Sequence, residues 1–319
     1  MEAFRDALDA CQLMDVGFSS VWFTWERGNL AATNIRERLD REPTYMKNFR
    51  LIILCNVLYK IIAKVVANRF QNIIGVCIDK AQSTFFPGRF ITDNVLVAYE
   101  ILHTLKEKRT GKKGHMAFKL DMSKAYDRVE WEFLKVMMER MGFANSWVSF
   151  ILKCIFMVFY SILLNGTKKD CFRPMRGLKP RNPLSPYLFL ICSEGLSSLM
   201  RSAMKKGDIK GLKACRRGPQ ISHLLFVDDC IIFGEATTLG ACKIKDVLKE
   251  YEKCSGQCVN FEKSMVFFST NTSKDDRFMV ARLLGVCRSN DFEKYLGLPN
   301  LVRKKKKYSF QNLKDRIKK

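Results

Sequence analysis

The stretch Leu224-Leu-Phe-Val-Asp-Asp-Cys-Ile-Ile-Phe233 places two adjacent carboxylates between two short apolar runs. Apolar runs of this length on either side of a very short connection predict two β-strands joined by a tight turn. Asp228 and Asp229 would repel each other at the tip of such a hairpin unless a cation neutralises them. The alternative is an ordinary solvent-facing turn, because Asp is common in turns.

A second predicted strand also ends in a carboxylate. Residues 116–122 read Met-Ala-Phe-Lys-Leu-Asp-Met and alternate between apolar and polar positions, with Asp121 near the end. Three carboxylates at strand ends of one sheet can hold two Mg²⁺ ions, or Mn²⁺ in their place, through oxygen ligands. Two metal ions roughly 3.5–4 Å apart assist phosphoryl transfer. The sequence therefore predicts a two-metal site made by Asp121, Asp228 and Asp229.

Apolar residues at helical spacing surround these strands. The ranges predicted as helices are 51–70, 93–105, 131–141 and 185–204. The mixture of strands and helices predicts an α+β fold. The long apolar stretch 147–164 contains Lys153, and we interpret it as a buried helix or strand pair rather than a membrane span.

The charge of the chain indicates a polyanionic partner. Lys and Arg together number 55 and Asp and Glu 32, which gives a formal net charge of +23 over 319 residues. Proteins with such an excess of basic residues most often bind nucleic acid. An anionic membrane surface and a merely well-solvated basic surface remain the alternatives.

The cysteines predict a reduced, intracellular setting, in the nucleus or the cytoplasm. The chain has 12 of them, and several, such as Cys192 and Cys230, lie inside apolar runs as small hydrophobic residues would. Cys254 and Cys258 form a C-x3-C pair without a matching second pair, so they are a weak indication of zinc.

Several motifs in order resemble those of reverse transcriptases from plant non-LTR (LINE-type) retrotransposons. Lys119-Leu-Asp-Met-Ser-Lys-Ala-Tyr-Asp-Arg-Val-Glu-Trp131 is similar to their first palm motif. Phe226-Val-Asp-Asp229 is similar to their F/Y-x-D-D motif, with Val227 where Ala is usual. The other similar segments are the later palm motifs Ser255–Ser264 and Tyr295–Pro299 and the fingers segments Phe49–Arg69 and Gln82–Glu100.

The resemblance implies a right-hand polymerase fold with fingers and palm, and two-metal addition of deoxynucleotides to a primer 3′-hydroxyl. The implied partners are an RNA template, a DNA primer and deoxynucleoside triphosphates, with no membrane partner; the oligomeric state stays open. The implied metal ligands are Asp121 and Asp228, with Asp229 as the third acid. The other implied roles are Tyr126 beneath the incoming sugar, Lys263 near the leaving pyrophosphate, and Arg50, Lys60 and Arg89 as triphosphate or template contacts. The alternatives are a core aromatic residue for Tyr126 and an ordinary surface charge for each of the three basic residues.

The resemblance also implies a division of the chain. Residues 1–42 are similar to the late part of an endonuclease/exonuclease/phosphatase-type domain, and we expect this remnant neither to fold by itself nor to cleave nucleic acid. Residues 43–300 would form the fingers and palm, and residues 301–319 a basic stub of a largely missing thumb.

One motif departs from the family pattern. The usual G-L-R-Q-G-D-P-L-S-P-Y-L-F appears as Gly177-Leu-Lys-Pro-Arg-Asn-Pro-Leu-Ser-Pro-Tyr-Leu-Phe189. Pro180 replaces Gln and removes a backbone N–H. Arg181 places a side chain where Gly is usual, and Asn182 replaces Asp. We therefore expect impaired polymerase activity. The alternatives are a catalytically inactive remnant that at most binds nucleic acid and, less in keeping with the ordered motifs, a membrane-surface protein.

Overall fold

The computed structural model describes residues 57–84, 91–111, 113–157, 159, 163–164, 167–168, 170–179, 182–215, 218–227, 229–288, 294–295 and 298–299. The described helices are α1 Val57–Cys77, α2 Ile91–Glu107, α3 Trp131–Arg140, α4 Asn145–Phe156, α5 Ser185–Lys205, α6 Thr238–Ser255 and α7 Lys274–Leu284. The described strands are β1 His115–Ser123, β2 Leu163–Leu164, β3 Thr167–Lys168, β4 His223–Phe226, β5 Asp229–Glu235, β6 Cys258–Val259, β7 Met265–Phe268, β8 Cys287–Arg288, β9 Lys294–Tyr295 and β10 Leu298–Pro299.

The central sheet has the strand order β4-β5-β1-β7-β8, and β6 also pairs with β1. Strand β1 lies in the middle and is antiparallel to β5, β6 and β7. The pair β7–β8 is parallel. The short pairs β2–β3 and β9–β10 are separate from this sheet. The predicted α+β fold is confirmed, with the sheet at its centre.

Helices cover the two faces of the sheet unequally. Six helices (α1, α3, α4, α5, α6 and α7) pack on the face that contains Met116, Phe118 and Leu120 of β1. On the opposite face, α2 packs against a smaller cluster that includes Ala117, Ile231 and Phe233. Side chains alternate between faces along a strand, so positions 117, 119 and 121 share the thinly covered face.

Three of the predicted helices match α2, α3 and α5 within two residues at each end. The helix predicted over 51–70 continues to Cys77 as α1, and residues 51–56 lie outside the described part of the chain. The apolar stretch 147–164 begins as α4, which buries Val148, Ile151 and Leu152 against its neighbours. This confirms the interpretation of that part as a buried helix. Among the described residues, no helix has both the length and the apolar character needed to cross a membrane. The segments 1–42 and 301–319, predicted as nuclease remnant and thumb stub, lie outside the described residues.

Candidate active site

Asp121 and Asp229 face each other across the central strands. They are direct partners in the antiparallel register of β1 and β5, where Cβ atoms of opposite residues lie about 4.5–5.5 Å apart. Both occupy the thinly covered sheet face, beyond the cluster that α2 covers. Asp121 is half-buried, and the Asp229 side chain is 35% exposed. Like charges directly opposite each other destabilise a sheet, so this pair favours a bound cation.

The hairpin that presents Asp229 contains a strained residue. Phe226 pairs with Asp229, so β4 and β5 are joined by two residues, Val227 and Asp228. Val227 has a φ of +54°. This left-handed conformation is unfavourable for a β-branched side chain and costs of order 1–3 kcal/mol. Asp228 lies outside the described residues, so its predicted role stays a prediction. The Val that replaces the usual Ala therefore adds strain to the turn.

Lys119 provides a positive charge beside the acids, and the sequence analysis missed it. Its Nζ lies 3.8 Å from Asp229 Oδ1, and the Lys119 side chain is 22% exposed. Lys119 precedes Asp121 by two residues, which puts both on the same strand face. That spacing was the signal that could have identified it. The ammonium partly offsets the repulsion between Asp121 and Asp229.

The other side of β1 is held by a loop rather than by a continuous strand. Strand β7 pairs with residues 116–119 of β1, and β6 pairs with Met122 and Ser123. The connecting loop is fixed to the backbone of Asp121 instead. Asn260 N–H donates to Asp121 O at 2.8 Å, and Asp121 N–H donates to Ser264 Oγ at 3.1 Å. Lys263 belongs to this loop and is exposed, which puts its backbone near Asp121; its role stays a prediction.

Tyr126 lines a cavity beside the start of α5. Its ring stacks on Phe189 of α5, with 4.6 Å between the ring centroids and 15° between the planes. The cavity has a volume of about 350 Å³, and Asp127, Asn182 and Pro186 also line it. A volume of this order accepts a nucleotide-sized ligand.

Gly177 allows the next motif to pack closely against the segment that contains Tyr126. Gly177 has a φ of +89°, and a Cβ there would lie 2.7 Å from Asp127 O. Its N–H donates to Val129 O at 2.8 Å, and the N–H of Leu178 donates to Tyr126 O at 2.7 Å. Only glycine fits this conformation without strain. Glycine at position 177 therefore allows the start of the motif 177–189 to lie directly against Asp127.

Asn182, one of the three departures from the family pattern, is well integrated. It is 5% exposed. Its Nδ2 donates to Tyr59 Oη at 2.9 Å, and its Oδ1 accepts from Leu184 N–H at 3.1 Å. Tyr59 Oη in turn donates to Cys154 O at 3.2 Å. The side-chain amide thus donates to one partner and accepts from the other, which a carboxylate could not do. Pro180 and Arg181 lie outside the described residues.

The basic residues predicted to contact the triphosphate or template are only partly described. Lys60 lies on α1 and is exposed. Arg50 and Arg89 lie outside the described residues. The described part of the structure therefore pairs Asp121 with Asp229 and places Tyr126 at a cavity beside the start of α5. The contacts predicted for Arg50, Lys60 and Arg89 stay predictions. Across that same part of the chain, no group of three or more His, Cys, Asp or Glu side chains could hold a metal ion.

A polar network anchors the hairpin from behind. The Arg201 guanidinium contacts the carboxylates of Asp79 and Glu194, the latter at 2.6 Å. Nearby, His223 at the start of β4 lies 2.8 Å from Ser222 Oγ through Nδ1 and 3.0 Å from Ser197 Oγ through Nε2. The network thus joins the end of α1, helix α5 and the first strand of the hairpin.

Burial of His223 predicts a pH-dependent stability. Burial, with Arg201 nearby and Asp79 opposing, lowers the pKa of His223 from 6.5 to about 4. Because the unfolded chain binds this proton more readily, stability falls as the pH decreases from 6.5 towards 4. The 2.5-unit difference corresponds to about 3 kcal/mol. Urea unfolding across this pH range should show the loss. His223→Gln should flatten this part of the profile, and the matched control His103→Gln, at an exposed position, should retain it.

A sequence profile described as "Reverse transcriptase (RNA-dependent DNA polymerase)" matches residues 39–300. The chain belongs to the reverse transcriptase family. Asp121, Tyr126 and Asp229 all fall within the matched range. The α+β fold with a mostly antiparallel central sheet is the palm architecture expected for this family.

Relatives of this reverse transcriptase include retrotransposon proteins. A transposon TX1 149 kDa protein of Xenopus laevis is 25% identical over 254 residues, covering 79% of this chain and 18% of that protein. A Pol polyprotein from the type-2 element R2DM of Drosophila melanogaster is 26% identical over 219 residues, covering 68% of this chain and 19% of that protein. The uncharacterized mitochondrial protein AtMg01250 of Arabidopsis thaliana is 45% identical over 67 residues, or 21% of this chain and 55% of that protein. The chain therefore spans about half or less of the length of these relatives.

Solved structures with a similar backbone include telomerases. Telomerase from Candida tropicalis, in complex with a fragment of telomeric RNA, superposes with a TM-score of 0.47 at 16% identity, covering 76% of this chain and 35% of that chain. Apo telomerase from the same species gives a TM-score of 0.46 at 15% identity, covering 67% of this chain and 37% of that chain.

Proposed function

We propose that this chain is the RNA-directed DNA polymerase domain of a LINE-type retrotransposon and adds deoxynucleotides to a primer 3′-hydroxyl on an RNA template. The observation that carries the proposal is the direct pairing of Asp121 with Asp229 on an open sheet face. The family match and the R2DM and TX1 relatives support it. A plant origin is supported by the similarity to the Arabidopsis protein.

The donor set fits divalent metal ions of the Mg²⁺ type. Carboxylate oxygens are the ligands that Mg²⁺ prefers, and Asp121 and Asp229 present them from neighbouring strands. Asp228 would complete the set. When bound, a pair of such ions supplies charge stabilisation and activation of the primer hydroxyl. The contribution of the chain is then to hold the carboxylates, with Asn260 and Ser264 fixing the backbone of Asp121.

The cavity beside Tyr126 would receive the incoming nucleotide. The Phe189 ring supports Tyr126 from behind, so the tyrosine ring has little freedom to move away from a larger sugar. A stacked, supported ring excludes a 2′-hydroxyl by its bulk. Asp127 and Asn182 line the same cavity as Tyr126.

Shortening Tyr126 should relax sugar discrimination. We expect Tyr126→Ala to raise ribonucleotide incorporation relative to deoxynucleotide incorporation about 100-fold, because steric selection at one group is worth roughly 10–200-fold. Single-nucleotide incorporation assays on an RNA template give the ratio of kcat/KM values. Tyr126→Phe retains the ring and is the matched control. An unchanged ratio in Tyr126→Ala would contradict the role assigned to the tyrosine.

The proposed function is tested by primer extension with Mg²⁺ on an RNA template. Three proteins are compared: the chain itself, Asp228→Asn, and a variant with the usual family residues at the departing loop (Pro180→Gln, Arg181→Gly and Asn182→Asp). We expect weak extension by the chain, none by Asp228→Asn, and at least about tenfold faster extension by the loop variant, since the loop then regains an N–H and loses a bulky side chain.

The outcomes separate the polymerase from an inactive remnant. Extension that appears only in the loop variant would show that the present chain is a catalytically inactive remnant. It would also show that the three substitutions restore the activity of the family. Extension that survives Asp228→Asn would show that the carboxylate assignment is wrong. No extension in any of the three, together with intact nucleic-acid binding, would leave a binding remnant and overturn the proposed function.

A further inference from the structure

The end of the central sheet opposite the candidate active site carries a concentration of positive charge. We call it the basic end surface and define it by Lys106, Lys108, Arg109, Lys113, Lys210 and Lys213, all exposed except the half-buried Lys108. Strand β1 begins at this end with His115 and reaches Asp121 six residues later, which corresponds to about 20 Å. The surface is therefore separate from the catalytic carboxylates.

Two stretches of the chain form this surface together. Lys113 Nζ lies 3.4 Å from Glu235 Oε2, and Lys210 Nζ lies 3.8 Å from Glu235 Oε1. Thr104 Oγ1 donates to Ala214 O at 3.1 Å. These contacts fix the segment after α2 beside the segment after α5. The six basic residues share these described segments and the end of β5 with three carboxylates, Glu107, Asp208 and Glu235, so the surface keeps a positive excess.

A cavity of about 280 Å³ opens in the middle of the basic end surface. Its apolar walls come from Ile101, Leu105 and Leu212, each buried. Lys108, Lys213 and Gln220 also line it. An apolar recess among cations fits a ligand with a flat apolar ring and an adjoining negative charge. An unstacked nucleobase with its neighbouring phosphates has this chemistry, and recognition of single strands commonly combines the two contacts.

His115 adds a directional hydrogen-bonding group to the cavity. It lines the cavity, and its Nδ1 lies 3.0 Å from Lys108 Nζ. The ammonium can only donate, so Nδ1 accepts and a neutral ring carries its proton on Nε2. Burial, together with Lys108, lowers the pKa of His115, which keeps the ring neutral. The ring also has a hydrogen bond with the backbone of Lys113, so His115 forms a fixed polar wall of the cavity.

The composition of the surface favours nucleic acid over a membrane. The described parts of 104–113 and 205–221 include no large apolar side chain that is strongly exposed. A membrane-surface site needs such side chains to enter the lipid. Phosphodiester backbones need only cations and hydrogen-bond donors, and both are present.

We propose that the basic end surface is a second nucleic-acid site, which holds a single-stranded segment with one base in the cavity and adjoining phosphates on Lys108 and Lys213. The proposal goes beyond the polymerase function and does not depend on it, because the two regions lie at opposite ends of the sheet. Tethering of a strand here would keep a nucleic acid on the protein while the catalytic region works on another part of it.

The test is binding of the full chain to fluorescently labelled 12-nucleotide strands, U12 as RNA and dT12 as DNA, measured by anisotropy over a range of salt. Lys108→Gln/Lys213→Gln is compared with a control of equal charge change, Lys249→Gln/Lys253→Gln, at exposed positions of α6. We expect about tenfold weaker binding in the first variant only. Its salt dependence should fall by about 1.4 in log–log slope, because each neutralised phosphate of a single strand contributes about 0.7.

Two further measurements locate the strand. Photo-crosslinking of a 4-thiouridine-labelled strand should label the segment 205–221 in the parent protein and lose this label in Lys108→Gln/Lys213→Gln. A strand with consecutive abasic positions should bind the parent about fivefold more weakly, although its phosphates are unchanged. Comparing the affinities for U12 and dT12 shows whether the surface prefers an RNA strand or a DNA strand.

Equal losses in the two double variants, or an abasic strand that binds as tightly as the intact one, would overturn the proposal. Thermal unfolding of both variants shows whether a loss of binding reflects loss of folding. Primer extension by Lys108→Gln/Lys213→Gln on a short primer–template should match that of the parent. A failure of extension in the parent, with labelling of 205–221 intact, would count against the polymerase function alone.

Discussion

Asp121→Asn is expected to reduce nucleotide incorporation at least about 1,000-fold. The substitution keeps the shape of the side chain but removes one of the two described carboxylates that face each other across β1 and β5. Metal ions stabilise the developing charge in phosphoryl transfer by several kcal/mol, and each 1.36 kcal/mol corresponds to a factor of ten in rate. The measurement is single-turnover incorporation on an RNA template, made in whichever background, the chain itself or the loop variant, extends primers faster.

The same substitution should not destabilise the fold. Removing one of two like charges that oppose each other relieves repulsion, so the free energy of unfolding of Asp121→Asn should equal or exceed that of the parent. Asp246→Asn, at an exposed position of α6, is the control for a simple change of charge and should retain activity. Incorporation by Asp121→Asn within tenfold of the parent would remove the carboxylate from the mechanism.

Arg201→Met is expected to lower the free energy of unfolding by about 3 kcal/mol. Arg201 contacts both Asp79 and Glu194, and the Glu194 side chain is only 6% exposed. Breaking a buried ion pair leaves an uncompensated charge, at a cost of about 3–5 kcal/mol. The lower end applies because the Arg201 side chain is 40% exposed. Urea unfolding at neutral pH provides the measurement.

The pH dependence identifies the cause of this loss. Burial raises the pKa of Glu194, so protonation favours the folded state and the loss should shrink as the pH falls towards the ordinary pKa of a glutamate. Glu194→Gln/Arg201→Met removes both charges and should recover part of the stability. Arg140→Met, at an exposed position of α3, should change it little. A loss that is independent of pH and is not recovered in the double variant would point to packing instead.

The secondary structure around the candidate site could be predicted from the sequence. Alternation of apolar and polar residues identified β1, and the apolar runs on either side of Asp228 identified β4 and β5. Helical spacing identified α2, α3 and α5 because each buries a continuous apolar stripe. These patterns are local, and burial on one side of each element enforces them.

The partners of the candidate site residues could not be predicted in the same way. The pairing of Asp121 with Asp229 depends on the register between strands that are more than a hundred residues apart. The ion pair of Lys119 with Asp229 arises from that register. The hydrogen bond of Ser264 with Asp121 arises from the pairing of β1 with β6 and β7 on its other side. The sequence shows which residue types are present, whereas tertiary pairing decides which of them meet.

The resemblance to a family contributed what local patterns could not. It predicted that Tyr126 and Asp121 belong to one motif, and the structure places Tyr126 on Phe189 at the edge of a cavity. The resemblance did not reveal how Asn182 replaces the usual Asp, because the answer lies in its hydrogen bonds with Tyr59 and Leu184. Departures from a pattern have to be judged from their new contacts.

Strand β4 lies at the margin of the central sheet, and the segment between α1 and α2 shields it. Leu225 N–H donates to Ala81 O at 2.9 Å, and Leu225 O accepts from Asn94 Nδ2 at 2.8 Å. An uncovered margin of this kind recruits strands from other molecules. Fragments that start downstream of α2 would lose both protecting contacts, so we expect them to associate with one another into β-rich aggregates.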